Sequence, residues 1–284
     1  METPPNHPHA DKPEPALRIY FLPNLMTAGN LYCGFVALHK IIDAKTGPPG
    51  NGEIRAALAF ILLACIFDLL DGRLARMGGV ESAFGREFDS LADLISFGVA
   101  PAFLVHRVVL RDVFLDRPEI GWFIASIYLM CGALRLARFN CLAAMPGGGG
   151  GKEFLGFPIP AAAGLVASLT LFLMWDEDKA DLSTGVWRFV LPAMLLFLSF
   201  MMVSEVKYPS FKTLDLRARR TFPKTVVVLL FAGCLLMLRD LILPVVLPCI
   251  FTIYLLYGFI RPRISGKVRQ EIEEEEDEDG AGPP

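Results

Sequence analysis

The six cysteines, Cys33, Cys65, Cys131, Cys141, Cys234 and Cys249, form no Cys-x-x-Cys pair, so neither a disulfide framework nor a zinc site is suggested. All six fall in apolar stretches, where a free cysteine serves as a small, polarizable packing residue. Histidine is scarce. His7 and His9 lie in a proline-rich lead-in, and His39 and His106 lie near the ends of apolar runs, where interfacial solvation accounts for them. Residues 1–17 lack the basic-then-apolar pattern of a cleavable signal peptide and read as a disordered lead-in. No repeat at a solenoid period occurs, which excludes a stacked array. Charged residues make up 20% of the chain against 54% hydrophobic, and the mean hydropathy of +0.47 is well above that of soluble domains of this length. The chain is expected to be a membrane protein, with no nucleic-acid partner.

Crossing a bilayer takes about 20 apolar residues. About eight runs approach that length, at 21–42, 54–76, 88–109, 120–142, 159–175, 186–203, 225–238 and 241–260. Only Arg239 and Asp240 separate the last two, which read as a tight helical hairpin or as one segment kinked at Pro244, leaving seven or eight spans. The fold expected is an all-α, polytopic membrane helix bundle occupying 18–264. The turns after the second, fourth and sixth runs carry Arg86, Lys152 and the cluster Lys207, Lys212, Arg217, Arg219, Arg220 and Lys224, whereas Asp176, Glu177 and Asp178 follow the fifth. The positive-inside rule then places both termini on the cytoplasmic side of a multi-pass protein of the cell membrane. The net charge of −3 misleads, because eight acids crowd into 271–279 within the tail 265–284. Such a block repels itself and stays solvated, and the remainder is mildly basic, which suits a face against anionic lipid headgroups.

Against this background four aspartates stand out. Asp68, Asp71, Asp89 and Asp93 form the frame Asp-x2-Asp-Gly-x2-Ala-Arg-x8-Gly-x3-Asp-x3-Asp over 68–93. Ionisable side chains at membrane depth cost several kcal/mol each, so a cluster of them marks a functional site by default. On a helix Asp68, Asp71, Gly72, Ala75 and Arg76 share one face, and Gly85, Asp89 and Asp93 share a face of the next. Two carboxylate stripes therefore meet across a short turn, at the cytoplasmic end. Hard oxygen ligands without histidine or cysteine suit Mg2+ or Mn2+, and four carboxylates can hold two such ions. Paired ions of this kind clamp phosphate oxygens in an in-line displacement. Small residues at 72 and 75 let a bulky ligand approach the backbone, and Arg76 can pair with phosphate. The plainer alternative makes the carboxylates structural partners of Arg73, Arg76 and Arg86.

The complete frame resembles the signature of the CDP-alcohol phosphatidyltransferases, which move a phosphatidyl group from a CDP-activated lipid to an alcohol and release CMP. All eight fixed positions are present. Three more segments resemble the phosphatidylserine synthase branch: Pro23 to Thr27 continuing to Gly29, Asn30, Leu31, Cys33 and Gly34; Ala133 to Asn140; and Val203, Ser204 and Tyr208 to Lys212. The resemblance implies a six-helix core, a homodimer, CDP-diacylglycerol and L-serine as substrates, and membrane lipids as surroundings. It implies metal ligation by Asp68, Asp71, Asp89 and Asp93, with Asp93 as general base. It also implies nucleotide approach at Gly72, Ala75 and Gly85, where Asn24, Thr27 and Arg76 can bind the CDP-lipid.

The acceptor is read separately. Serine offers a planar carboxylate, which a guanidinium grips with two hydrogen bonds. Arg135 and Arg138 stand one turn apart on the fourth run with Asn140 beside them, as an acceptor face or as ordinary membrane-border arginines. Glycerol 3-phosphate or an inositol phosphate would call for a denser basic pocket. A cation transporter, the reading from another class, would spread its ionisable residues along a path, whereas these gather at one end of two consecutive helices.

Overall fold

Asn24, Thr27 and Asn30 interrupt an otherwise apolar run, and the helix α1 (Phe21–Asp43) that contains them buries Thr27, Asn30, Cys33, Gly34, Ala37 and Ile41 along one face. The computed structural model describes residues 21–44, 51–78, 82–145, 153–177, 189–209 and 245–258. Helix α2 (Asn51–Gly78) returns antiparallel to α1, tied to it at one end by Lys40 and Glu53 at 2.9 Å and at the other by Thr27 and Asp71. Next come α3 (Ala83–Val113), α4 (Pro118–Ala144), α5 (Ile159–Glu177), α6 (Val190–Val203) and α7 (Val245–Gly258). The expected runs at 225–238, 241–244 and 259–260 lie outside the described residues, as do the lead-in 1–17, Lys152, the basic cluster 212–224 and the tail 265–284.

Of these helices α1, α3 and α4 are long and apolar enough to cross a membrane. The apolar part of α2 is interrupted by Asp68 and Asp71, and α6 is only 14 residues long. Proline has no amide hydrogen, so Pro192 is tolerated in the first turn of α6, and Ser204 leaves the helix in an extended conformation. Among the described residues the bundle is helical but for one feature that the sequence does not announce. Strand β1 (Glu153–Leu155) pairs antiparallel with β2 (Lys207–Pro209), Phe154 opposite Tyr208, and ties the entry to α5 to the exit from α6.

Helix α3 is not regular. It widens into π turns at Leu94–Val99 and His106–Leu110. Pro101 cannot donate to the Phe97 carbonyl, and the Tyr128 hydroxyl of α4 donates to that oxygen instead at 3.1 Å, deep in the core. Within the first of these π turns Ser96 packs on Gly34, where a Cβ would lie 2.2 Å from Ser96 Oγ and 2.7 Å from its Cα. Only glycine permits that approach of α1 and α3, and the Ser96 hydroxyl uses it to donate to the Asn30 carbonyl at 2.9 Å. The core between the helices is filled by Ile61, Phe97, Leu104, Leu165 and Leu195, while Tyr32, Phe35, Ile66, Phe123 and Phe200 point outward. An outward aromatic and aliphatic shell is what lipid solvates and water does not.

Candidate active site

The start of α1, the end of α2, the start of α3 and the end of α4 converge at one end of the bundle, as the contacts among their polar residues show. Asp68 and Asp71 come from α2, one turn apart, and Asp89 from α3. One oxygen from each of these three carboxylates lies within 4.8 Å of the others. Asp71 is almost fully buried, and the Thr27 hydroxyl, 3.1 Å from Asp71 Oδ2 and 3.2 Å from the Pro23 carbonyl, orients it. Asp89 Oδ1 is buried with no hydrogen-bond partner among the described residues. Buried carboxylate oxygens are seldom left without a partner, and three converging acceptors repel one another unless a cation sits between them. The donor set is all oxygen and fits a hard divalent ion.

Asp93 stands apart from that trio. It is 6% exposed, one turn deeper on α3, and Asn30 Nδ2 donates to its Oδ1 at 3.0 Å. Asn30 is wholly buried, and its own Oδ1 has no partner among the described residues. Among the hydrogen bonds described, the deep aspartate is thus held by a neutral amide.

Around the trio, Ser82 caps α3 by accepting from the Gly85 amide at 3.0 Å. A Cβ at Gly85 would lie 3.1 Å from Ser82 Oγ and 3.4 Å from Asn24 Oδ1, so glycine keeps the space between α1 and α3 clear. Asn24 Nδ2 is buried and lacks a partner among the described residues. Gly72 lies on α2 beside Asp71. Ala75 and Arg76 continue α2, but their side chains lie outside those described.

The three acceptor candidates on α4 part company. Arg135 is 8% exposed and its Nε has no hydrogen-bond partner among the described residues. Arg138 instead donates to backbone carbonyls of Leu155 and of the end of α6. Asn140 Nδ2 donates to Ser90 Oγ at 3.0 Å and to Glu87 Oε2 at 3.2 Å, stitching α4 to α3.

Residues 20–206 match the family model described as CDP-alcohol phosphatidyltransferase. The chain belongs to this family. It is 32% identical over 243 residues to the CDP-diacylglycerol–serine O-phosphatidyltransferase of Helicobacter pylori (strain ATCC 700392 / 26695), covering 86% of this chain and 91% of the relative. It is 34% identical over 193 residues to the Bacillus subtilis (strain 168) protein of the same name, covering 68% and 92%. With the archaetidylserine synthase of Methanothermobacter thermautotrophicus it shares 35% identity over 190 residues, 66% of this chain and 69% of the relative. For a CDP-alcohol phosphatidyltransferase with three helices long enough to span a bilayer, the membrane is the expected setting, and the protein is a membrane protein.

Sequence reasoning gave several residues of this phosphatidyltransferase site no role. Asn30, Ser82, Ser90 and Glu87 each touch a candidate residue. A signal for Asn30 was available, since an amide in an apolar run three residues after Thr27 shares its buried face. Ser90 and Glu87 gave none, because their partner Asn140 is 50 and more residues away.

Proposed function

We propose that this protein transfers a phosphatidyl group from CDP-diacylglycerol to the hydroxyl of L-serine, giving phosphatidylserine and CMP in phospholipid biosynthesis. The observation that carries the reading is the trio Asp68, Asp71 and Asp89 converging beside the separately held Asp93. Two divalent ions, Mg2+ or Mn2+, bound by Asp68, Asp71 and Asp89 with Asp93 adjoining, would supply charge neutralisation for the pyrophosphate and for the departing CMP. Asn24 offers the nucleotide an amide with no partner among the described residues, Gly85 and Gly72 leave it room, and Thr27 holds Asp71 in place. Ala75 and Arg76, on the same face by spacing, complete that side.

In the transfer, the serine oxygen attacks the phosphorus that carries the diacylglycerol. The bond from that phosphorus to the CMP oxygen breaks, and the serine hydroxyl proton passes to an Asp93 carboxylate oxygen. A positioned general base of this kind contributes about 100-fold to 10,000-fold. Arg135 receives the serine carboxylate, its buried Nε lacking a partner among the described residues. Arg138 and Asn140 support the acceptor side from their contacts with α6 and α3. The bundle is read as a six-helix core with about eight spans in the cell membrane, its aspartate end and both termini cytoplasmic, and as a homodimer. Purified protein in detergent with CDP-diacylglycerol and Mn2+ should release CMP with serine, and not with glycerol 3-phosphate or inositol compounds. Equal release with a phosphorylated acceptor would overturn the serine assignment.

A further inference from the structure

The end of α6 exposes the last-turn carbonyls that every helix leaves without intrahelical donors. Arg138 meets them. Its Nη1 donates to Val203 O at 2.9 Å, and its Nη2 lies 3.1 Å from Ser204 O, 3.2 Å from Leu155 O and 3.4 Å from Met202 O. A guanidinium placed there also complements the negative end of the α6 dipole. The same junction is closed by backbone bonds from Gly156 N to Val206 O at 2.9 Å and from Phe157 N to Met201 O at 3.0 Å. Gly156 has φ of 77°, and a Cβ there would lie 2.2 Å from Met202 O and 2.8 Å from Arg138 Nη2. The bare backbone of Gly156 and the fork of Arg138 are therefore parts of one clamp. Next to it Tyr208 of β2, wholly buried, packs edge-on against Phe157 with centroids 5.2 Å apart and at 5.7 Å from Tyr254 of α7.

We propose that Arg138 is a positioning residue, which pins the β1–β2 ribbon and the α6 terminus to α4 and so holds Arg135, one turn earlier, toward the acceptor; it does not itself bind the acceptor. The inference rests on the reading of Arg135 as the carboxylate-binding residue. Arg138 reaches four carbonyls on two separate segments, and no carboxylate can be gripped by a fork already spread over them. Lysine keeps the charge but presents a single nitrogen, which cannot span those carbonyls.

Four variants measured together test this: Arg135→Lys, Arg138→Lys, Gly156→Ala and the double variant Arg138→Lys with Gly156→Ala. Gly156 has no side chain that could touch serine, yet Gly156→Ala should raise KM for serine about tenfold, as Arg138→Lys does, with KM for CDP-diacylglycerol within about twofold of the unsubstituted protein. The double variant should be no worse than about the poorer single one, because both break the same clamp. Unchanged serine KM in Gly156→Ala alongside a raised value in Arg138→Lys would make Arg138 a direct ligand and overturn the proposal. Equal loss of CDP-lipid binding in the Arg138 and Gly156 variants would also overturn it, since the clamp would then be general scaffold. An unchanged serine KM in Arg135→Lys would sink the acceptor reading itself, and the positioning role with it.

Discussion

Removing the Asn30 side chain should disable Asp93 without touching the metal trio. Asn30 Nδ2 donates to Asp93 Oδ1 at 3.0 Å, both side chains are buried, and Asn30 is the one hydrogen-bond donor to Asp93 among the bonds described. A hydrogen bond to a charged group contributes about 1.5 to 3 kcal/mol, so Asn30→Ala should lower kcat by roughly 10-fold to 150-fold if the full bond is needed to hold the carboxylate for proton transfer. Asp93→Asn, which removes the base itself, should lower kcat by about 100-fold or more. The double variant should be about as slow as Asp93→Asn alone, because once the base is gone its orientation no longer matters. CMP release at saturating CDP-diacylglycerol, Mn2+ and serine measures all three, with CDP-lipid affinity measured on the same preparations. Additive losses in the double variant would refute the reasoning, as they would place Asn30 in some other part of the cycle. Loss of CDP-lipid binding in Asp93→Asn would make that residue a metal ligand before anything else.

Asp68→Asn, Asp71→Asn and Asp89→Asn should each abolish CMP release, because each removes a charged ligand from a hard-cation site; substantial turnover in two of them at saturating metal would contradict that role. Gly34→Ala forces a Cβ onto the Ser96 backbone 2.7 Å away. Overpacking of this kind costs about 1 to 3 kcal/mol, seen as a lower melting temperature in detergent, whereas an unchanged midpoint would show that α1 and α3 separate freely. Tyr128→Phe leaves the Phe97 carbonyl without its hydroxyl donor and should destabilise the fold by about 1 to 3 kcal/mol in the same assay, since Pro101 cannot replace the bond.

The helical character and the carboxylate trio were legible because both rest on short-range spacing. Asp68 and Asp71 fall on one face by helical arithmetic, and Asp89 follows on the next helix, so their convergence needed only a short turn between them. The separation of Asp93 from the trio was not legible, since it depends on Asn30, 63 positions earlier in the chain. Arg135 and Arg138 read alike as an i, i+3 pair, and what distinguishes them is the α6 terminus that Arg138 caps 65 positions later. The β1–β2 ribbon was invisible for a related reason. Three-residue strands carry no periodicity, and this pair exists because Gly156 lets the chain pass against Met202. The π turns in α3, on either side of the segment that holds Pro101, were not legible either, because an apolar sequence alone reads as a plain helix.

The most direct measurement follows radiolabelled serine. Purified protein given CDP-diacylglycerol, Mn2+ and labelled L-serine should move label into organic-extractable lipid in one-to-one ratio with CMP released, and the Asp89→Asn variant should do neither. CMP release without label in the lipid, or label transfer that survives both Asp89→Asn and removal of divalent metal by a chelator, would contradict a metal-dependent serine phosphatidyltransferase built on Asp68, Asp71, Asp89 and Asp93.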